Sequence, residues 1–326
     1  MNKEEKLNAI KTLSKTLDKQ YDGEILQYKG EKVGKAIPCI PSNILTLDND
    51  VIGCGGLPRG RVIEIYGQES SGKTALSLHI AGECQKAGGV VAFIDAEHSL
   101  DPSFANTLGV DMDELVTAQP DFGEQAMDIV IQLVESNAVD MIIVDSVTAL
   151  VPRAELEGDM GDSHMGLHAR LLSQSMRKLV GISNKHSVAI VFINQIREKV
   201  GLVFGNPEVT TGGRALKFFS SLRLEVRRVA GKDGFIKDGD VIIGHRVKIK
   251  GAKNKVGTPF KEGEVSLLYG AGFDKIEDAI DHAVKKGIIT GSAWLVFKGE
   301  KYRREDLREK YGEIVEAIKC QEESKT

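Results

Sequence analysis

Four largely apolar runs mark the middle of the chain: "VIEIY" from residue 62, "VVAFIDA" at 90–96, "MIIVD" at 141–145 and "SVAIVFIN" at 187–194. Rich in β-branched residues and without polar alternation, they predict strands buried on both faces, as in a parallel sheet. Amphipathic stretches at 72–86, 124–135 and 163–184 separate them and predict helices. Strand and helix in turn predict a doubly wound α/β core, whose ligands sit beyond the carboxyl ends of the strands. Residues 218–229, 245–251 and 263–269 alternate more and predict strands that extend the sheet on one side. After "LLYGAGF" the pattern shifts to a helix over 275–286, a short strand in "AWLVFKG" and a charged helix, which predicts a small α/β lobe over 271–326.

At the other end Leu7, Ile10, Leu13 and Leu17 recur at helical spacing, so residues 3–20 carry one apolar stripe on a polar helix. Such a stripe needs a partner, either the chain's own core or a neighbouring subunit. Residues 21–37, punctuated by Gly and Lys, read as a linker. The helix and linker are expected over 1–36 and the core over 37–270.

The chain has 326 residues, 41% hydrophobic and 28% charged, and a net charge of −4. That length suits about two domains, and the charge means that a nucleic-acid surface would be a local patch. Cys39, Cys54, Cys84 and Cys320 are far apart in sequence and fit reduced, structural thiols of a cytoplasmic protein. The first twenty residues lack the apolar stretch of a signal peptide, no run approaches a membrane span, and no membrane partner is expected.

Chemistry first becomes specific at Gly67, Gln68, Glu69, Ser70, Ser71, Gly72, Lys73 and Thr74, which fit G-x-x-x-x-G-K-[ST]. A predicted strand enters this loop and a helix carrying Leu76, Leu78 and Ile80 leaves it. Glycines let successive N–H groups curl around phosphate oxygens at a helix N-terminus. Lys73 would neutralise β and γ oxygens and Thr74 would ligate Mg²⁺. Asp145 and Asp95 both end strands and compete for the metal carboxylate. We favour Asp145, because Glu97, two residues beyond Asp95, offers a different task as general base to the attacking water. A loop carboxylate is more often simply solvated.

Two further segments, "EGDMGDSHMG" at 157–166 and "IREKVGLVFGNPEVTTGGRALKF" at 196–218, each follow a core strand and are too Gly-rich and apolar-poor to predict rigid packing. The second mixes Arg197, Lys199, Arg214 and Lys217 with Val200, Leu202 and Phe204, a blend in which cations follow phosphates and apolar groups touch bases. Arg170 and Arg177 add to the patch from a predicted helix. A solvated basic loop is the plainer alternative.

Taken in order, "GQESSGKT", "FIDAEHSLDP", "VDMIIVDSVTALVPRAELEGDMGDSHMGLHAR", "FINQIREKVGLVFGNPEVTTGGRALKF" and the "KNK" before Thr258 resemble the RecA family of bacterial DNA strand-exchange ATPases, closely from about residue 40 to 270. The resemblance implies a RecA-like P-loop NTPase fold with an N-terminal interface helix. It implies ATP held by residues 67–74, with Asp101, Phe104 and Tyr269 at the base; Phe104 stands where tyrosine is more usual, which should leave stacking intact. Glu97 becomes the catalytic carboxylate and Gln195 the sensor of the γ-phosphate. Single-stranded DNA would lie on Met165, Arg170, Ser173 and Arg177 from the first region, and on Arg197, Lys199, Val200, Gly212, Gly213 and Arg214 from the second. Val200 would wedge between bases. Lys217 and Phe218 match an interface between copies in a helical filament, and Lys253 and Lys255 match residues reaching a neighbour's ATP, although "KIKGAKNK" is slightly longer than the usual segment.

Homologous double-stranded DNA and a LexA-like repressor induced to self-cleave are the further partners the resemblance implies. Its acidic C-terminal tail is replaced here by "CQEESKT", from which less autoinhibition and less dependence on high Mg²⁺ are expected. Lys298, Lys301, Arg303 and Arg304 could gather duplex DNA, or form a solvated face with Glu300, Glu305 and Asp306. A hexameric helicase of the same fold, or a nucleotide-dependent DNA-binding scaffold, are the alternatives; a small-molecule phosphoryl transferase would need a substrate pocket in place of the two loops.

Overall fold

The computed structural model describes residues 1–21, 26, 37–159, 166–198 and 208–323. The chain divides into two units, Met1–Ile37 and Pro38–Thr326. In the first, α1 (Lys3–Tyr21) has no buried residue, and its N-terminus is closed reciprocally by Asn2 and Glu5, each accepting the other's N–H.

The second unit opens with a short ribbon, β1 (Cys39–Ile40) and β2 (Leu57–Pro58), around a π-helical turn over 46–52 that ends at Gly53 with φ +82°. Although remote in sequence, Cys39 and Cys54 meet here with sulfurs 3.3 Å apart. The core then runs β3 (Val62–Gly67), α2 (Lys73–Lys86), β4 (Val91–Asp95), α3 (Pro102–Thr107), β5 (Val116–Ala118), α4 (Gly123–Glu135) and β6 (Met141–Asp145). It continues through α5 (Arg153–Leu156), α6 (Leu167–His186), β7 (Ala189–Glu198), β8 (Glu208–Thr210), α7 (Ala215–Phe219) and β9 (Leu222–Arg228). Next come β10 (Phe235–Asp238), β11 (Val241–Asn254), β12 (Glu262–Leu268) and β13 (Gly272–Phe273). Residues beyond form α8 (Lys275–Lys285), a ribbon of β14 (Thr290–Gly291), β15 (Leu295–Phe297) and β16 (Glu300–Tyr302), and α9 (Tyr311–Glu323).

The main sheet has the order β13-β12-β11-β9-β3-β7-β6-β4-β5. From β9 to β5 all neighbours are parallel, and β11, β12 and β13 add to one side antiparallel. Burial on both faces explains the largely apolar runs. Val91 and Phe93 of β4 face the layer containing α2, while Ala92 and Ile94 face α4 and α6. A third apolar cluster joins α8, β15 and α9 through Ile280, Phe297 and Ile314.

Boundaries differ from the sequence pattern in places: β11 runs over Val241–Asn254, well beyond 245–251, and β9 starts later than expected. Residues 218–219, expected to begin a strand, belong to α7, because Ala215 and Leu216 turn into the core and the Ser220 hydroxyl donates back to the Leu216 carbonyl at 2.6 Å. Within "KIKGAKNK" the β9–β11 register shifts between Gly251 and Lys253, a β-bulge. Among the described residues no helix is long and apolar enough to cross a membrane.

Candidate nucleotide and DNA site

β3 delivers Gly67 to the carboxyl edge of the sheet, beside Gln195 of β7. Position 67 requires glycine, since a Cβ there would lie 2.0 Å from the Val226 carbonyl oxygen. Gly72, at φ +97°, turns the chain into α2, so the first turn of that helix points its N–H groups back at the loop. Lys73 is buried, its ammonium donating to the Gln68 carbonyl at 2.7 Å. Burial pushes Lys73 below its ordinary value, opposed by Asp145, Glu97 and Glu69.

The Thr74 hydroxyl donates to Asp145 Oδ2 at 2.8 Å. Burial pushes the Asp145 carboxyl up to about 6, with Glu97 and Asp95 adding to the effect and Thr74 and Lys73 opposing it. Asp95 is differently engaged, accepting from the Ser99 and Leu100 N–H groups and from Gln119 Nε2. Glu97 lies just past β4, where its N–H donates to the Asp145 carbonyl, and its Oε1 accepts from Ser146 Oγ and, at 3.4 Å, from Gln195 Nε2. Glu97, Asp145 and Gln195 thus meet around the phosphate loop from three neighbouring strand ends.

A cavity of about 320 Å³ runs from residues 70–75 to Phe104, His245, Leu267, Leu268 and Tyr269. At its loop end Ser71 Oγ is buried without a hydrogen-bond partner, an orphan that a phosphate oxygen would satisfy. The other end offers two half-exposed rings, Phe104 and Tyr269, with the His245 ring 5.6 Å from that of Tyr269. The Asp101 carboxylate caps α3 by accepting from the Ser103 and Phe104 N–H groups, and so fixes where Phe104 stands. His245 had no sequence signal beyond strand alternation. Among the described residues no three His, Cys, Asp or Glu side chains gather as a metal-ligand set. A divalent ion here would therefore depend on Thr74, Asp145 and the phosphates themselves.

The two basic regions meet beside this site. Gly212 (φ +86°) and Gly213 (φ +72°) pack so closely on α6 that a Cβ would lie 2.2 Å from Leu172 and 3.0 Å from Ala169. Over two turns of α6, Arg170 and Arg177 are exposed and Ser173 half-buried, while Arg197 and Arg214 are exposed on the other segment. Met165, Lys199 and Val200 lie outside the described residues. On α7, Lys217 and Phe218 are exposed, Phe218 by 65%. Lys253 Nζ donates to the carbonyls of both, at 2.8 and 2.9 Å, within the same chain. Lys255 anchors its backbone by donating its N–H to the Ser221 carbonyl.

Such a loop, set at the carboxyl end of a central parallel strand, puts the chain in the class of P-loop NTPases. A family model described as RecA N-terminal domain matches residues 8–274. Protein RecA of Geobacter sulfurreducens is 51% identical over 300 residues, covering 91% of this chain and 87% of that one. Protein RecA of Desulforapulum autotrophicum is 53% identical over 298 residues, 91% of this chain and 84% of its own, and Protein RecA of Enterococcus gallinarum 53% over 294, 90% and 83%. The chain belongs to the RecA family. It is a recombinase of DNA repair and recombination, a DNA-dependent ATPase that binds DNA and self-associates, and the helicase and scaffold alternatives are not favoured.

Proposed function

We propose that the nucleotide is ATP with Mg²⁺, its phosphates held by Gly67 to Thr74 and its base between Phe104 and Tyr269. The observation that carries this reading is Thr74, which lines the loop end of a cavity whose other end is aromatic and donates there to Asp145, next to the Glu97–Gln195 pair. Mg²⁺, held by Thr74 and Asp145, would supply charge neutralisation at the phosphates. Lys73 balances phosphate charge, Glu97 orients and deprotonates the attacking water, and Gln195 reports the γ-phosphate. Asp101 acts on the base through its cap of the helix bearing Phe104.

Single-stranded DNA lies on Arg170, Ser173, Arg177, Arg197 and Gly212 to Arg214, with Met165, Lys199 and Val200 assigned by family resemblance. The close packing of Gly212 and Gly213 on α6 supports one continuous surface. Homology is then sampled by base pairing with duplex DNA. Filament growth uses residues 1–36, Lys217 and Phe218, with Lys253 and Lys255 facing the next copy's nucleotide; a trans role requires Lys253 to leave its own α7 carbonyls. Residues 37–270 serve as the ATPase core and 271–326 as a small C-terminal domain in a cytoplasmic protein, and a LexA-like repressor is a partner of the filament. Electron micrographs with a slowly hydrolysed ATP analogue and single-stranded DNA should show helical filaments. Isolated particles or closed rings would overturn the reading.

A further inference from the structure

Glu64 is wholly buried in the middle of β3, a charged group within an apolar run. A carboxylate is kept in such a place only when both oxygens are satisfied. Oε2 accepts from Arg223 Nε of β9 at 2.5 Å, and the Arg223 guanidinium lies 4.4 Å from the centre of the Tyr66 ring. Oε1 accepts from Asn194 Nδ2 of β7 at 2.9 Å. Both partners are themselves buried, so Glu64 is a fixed point between the two neighbouring strands.

Asn194 is the more informative partner. Its Nδ2 also donates to the Thr211 carbonyl at 3.0 Å, and its Oδ1 accepts the N–H of Gln195 at 2.9 Å. A chain of polar contacts therefore runs from Glu97 to the Gln195 side chain, through the Gln195 backbone to Asn194, and on to Thr211. Thr211 directly precedes Gly212 and Gly213, the pair packed on α6 beside Arg170 and Ser173. Any shift of the Gln195 backbone has to be answered by the Asn194 amide, because its other contacts are tied to Glu64 and to the base of the second basic segment.

We propose that Glu64 and Asn194 are positioning residues that couple the nucleotide end of β7 to the DNA-facing return at Thr211 to Arg214. The proposal rests on the reading of Gln195 as γ-phosphate sensor, and extends it to two residues that touch neither ligand. Glu64 is the anchor and Asn194 the moving part: a buried amide that holds a donor, an acceptor and a carboxylate at once has no slack in which to lose the displacement.

A coupling free energy is the quantity to read, since a purely structural ion pair would change stability or both affinities without changing their interdependence. The affinity of the full-length protein for a fluorescent oligo(dT) is measured with and without a slowly hydrolysed ATP analogue, and analogue affinity with and without DNA, for wild type, Asn194→Ala and Glu64→Gln. Wild type should show at least about tenfold tighter DNA binding with the analogue, and the reciprocal measurement the same factor. In Asn194→Ala each ligand is still bound alone and the factor falls toward one. Glu64→Gln should follow where its melt stays cooperative; Asn194→Ala alone decides where it does not. A factor in Asn194→Ala within about twofold of wild type overturns the proposal. A wild-type factor near one overturns the sensor reading itself, a separate and recognisable failure.

Discussion

The Thr74 hydroxyl and the Asp145 carboxylate, 71 residues apart in sequence, meet at 2.8 Å because α2 starts where β3 ends and β6 finishes at the same edge of the sheet. Thr74→Val keeps the shape and removes the donor. It should lower DNA-dependent ATP hydrolysis by about a hundredfold, the scale of losing one preorganised polar group at a phosphoryl-transfer site. Lys73→Ala should lower it further. Hydrolysis within a factor of two of wild type in Thr74→Val would remove Thr74 from the metal role.

Glu97 accepts from both Ser146 and Gln195, so its orientation is set from two sides. Glu97→Gln should reduce kcat by about 10²–10⁴-fold, with the affinity for ATP analogue little changed, as for loss of a general base. Gln195→Ala should bind ATP and lose the rise in hydrolysis caused by single-stranded DNA. Steady-state assays with and without DNA distinguish the two variants.

Asp48 is buried, and burial pushes its carboxyl up to about 7 against the donors Ser42 and Asn43, with Asp278 adding to the rise. With a folded value above the unfolded one, its contribution to stability is full below about pH 4 and is lost as pH rises through about 7. Thermal midpoints should therefore fall between pH 5 and pH 8, by on the order of 5 °C from this group. Asp48→Asn should flatten that slope. A slope identical to wild type would assign the pH dependence elsewhere.

Arg170, Arg177, Arg197 and Arg214 are exposed cations on adjoining surfaces. Binding of single-stranded DNA should weaken steeply with salt, and each arginine that meets a phosphate should, when changed to alanine, lower the log–log slope by about 0.7. Fluorescence anisotropy over a salt series measures this, and an unchanged slope removes that arginine from the backbone contacts.

How much of this was legible in the sequence depended on the range of each signal. The β3 to α2 loop declared itself because turn glycines, a lysine and a hydroxyl must be consecutive to wrap phosphate. The parallel strands were equally visible, since burial on both faces leaves no polar alternation. Glu64 was hidden inside one of those runs: its partners Asn194 and Arg223 become neighbours only when β7 and β9 flank β3. The same holds for Cys39 and Cys54, and for His245, whose place beside Tyr269 follows from the pairing of β11 with β12. Local propensity also misplaced residues 218–219, where the tertiary burial of Ala215 and Leu216 selected a helical turn.

β11 is a single strand of 14 residues with His245 toward one end and Lys253 toward the other. At about 3.3 Å per residue, those two positions are on the order of 25 Å apart along one nearly inextensible rod. If Lys253 serves the adjacent protomer, this rod is a gauge block: it fixes the interval between successive fuel sites, and the bulge after Gly251 trims that interval and aims its tip. Adding or removing one residue there would therefore alter the pitch of the whole polymer before it altered the chemistry of any one site.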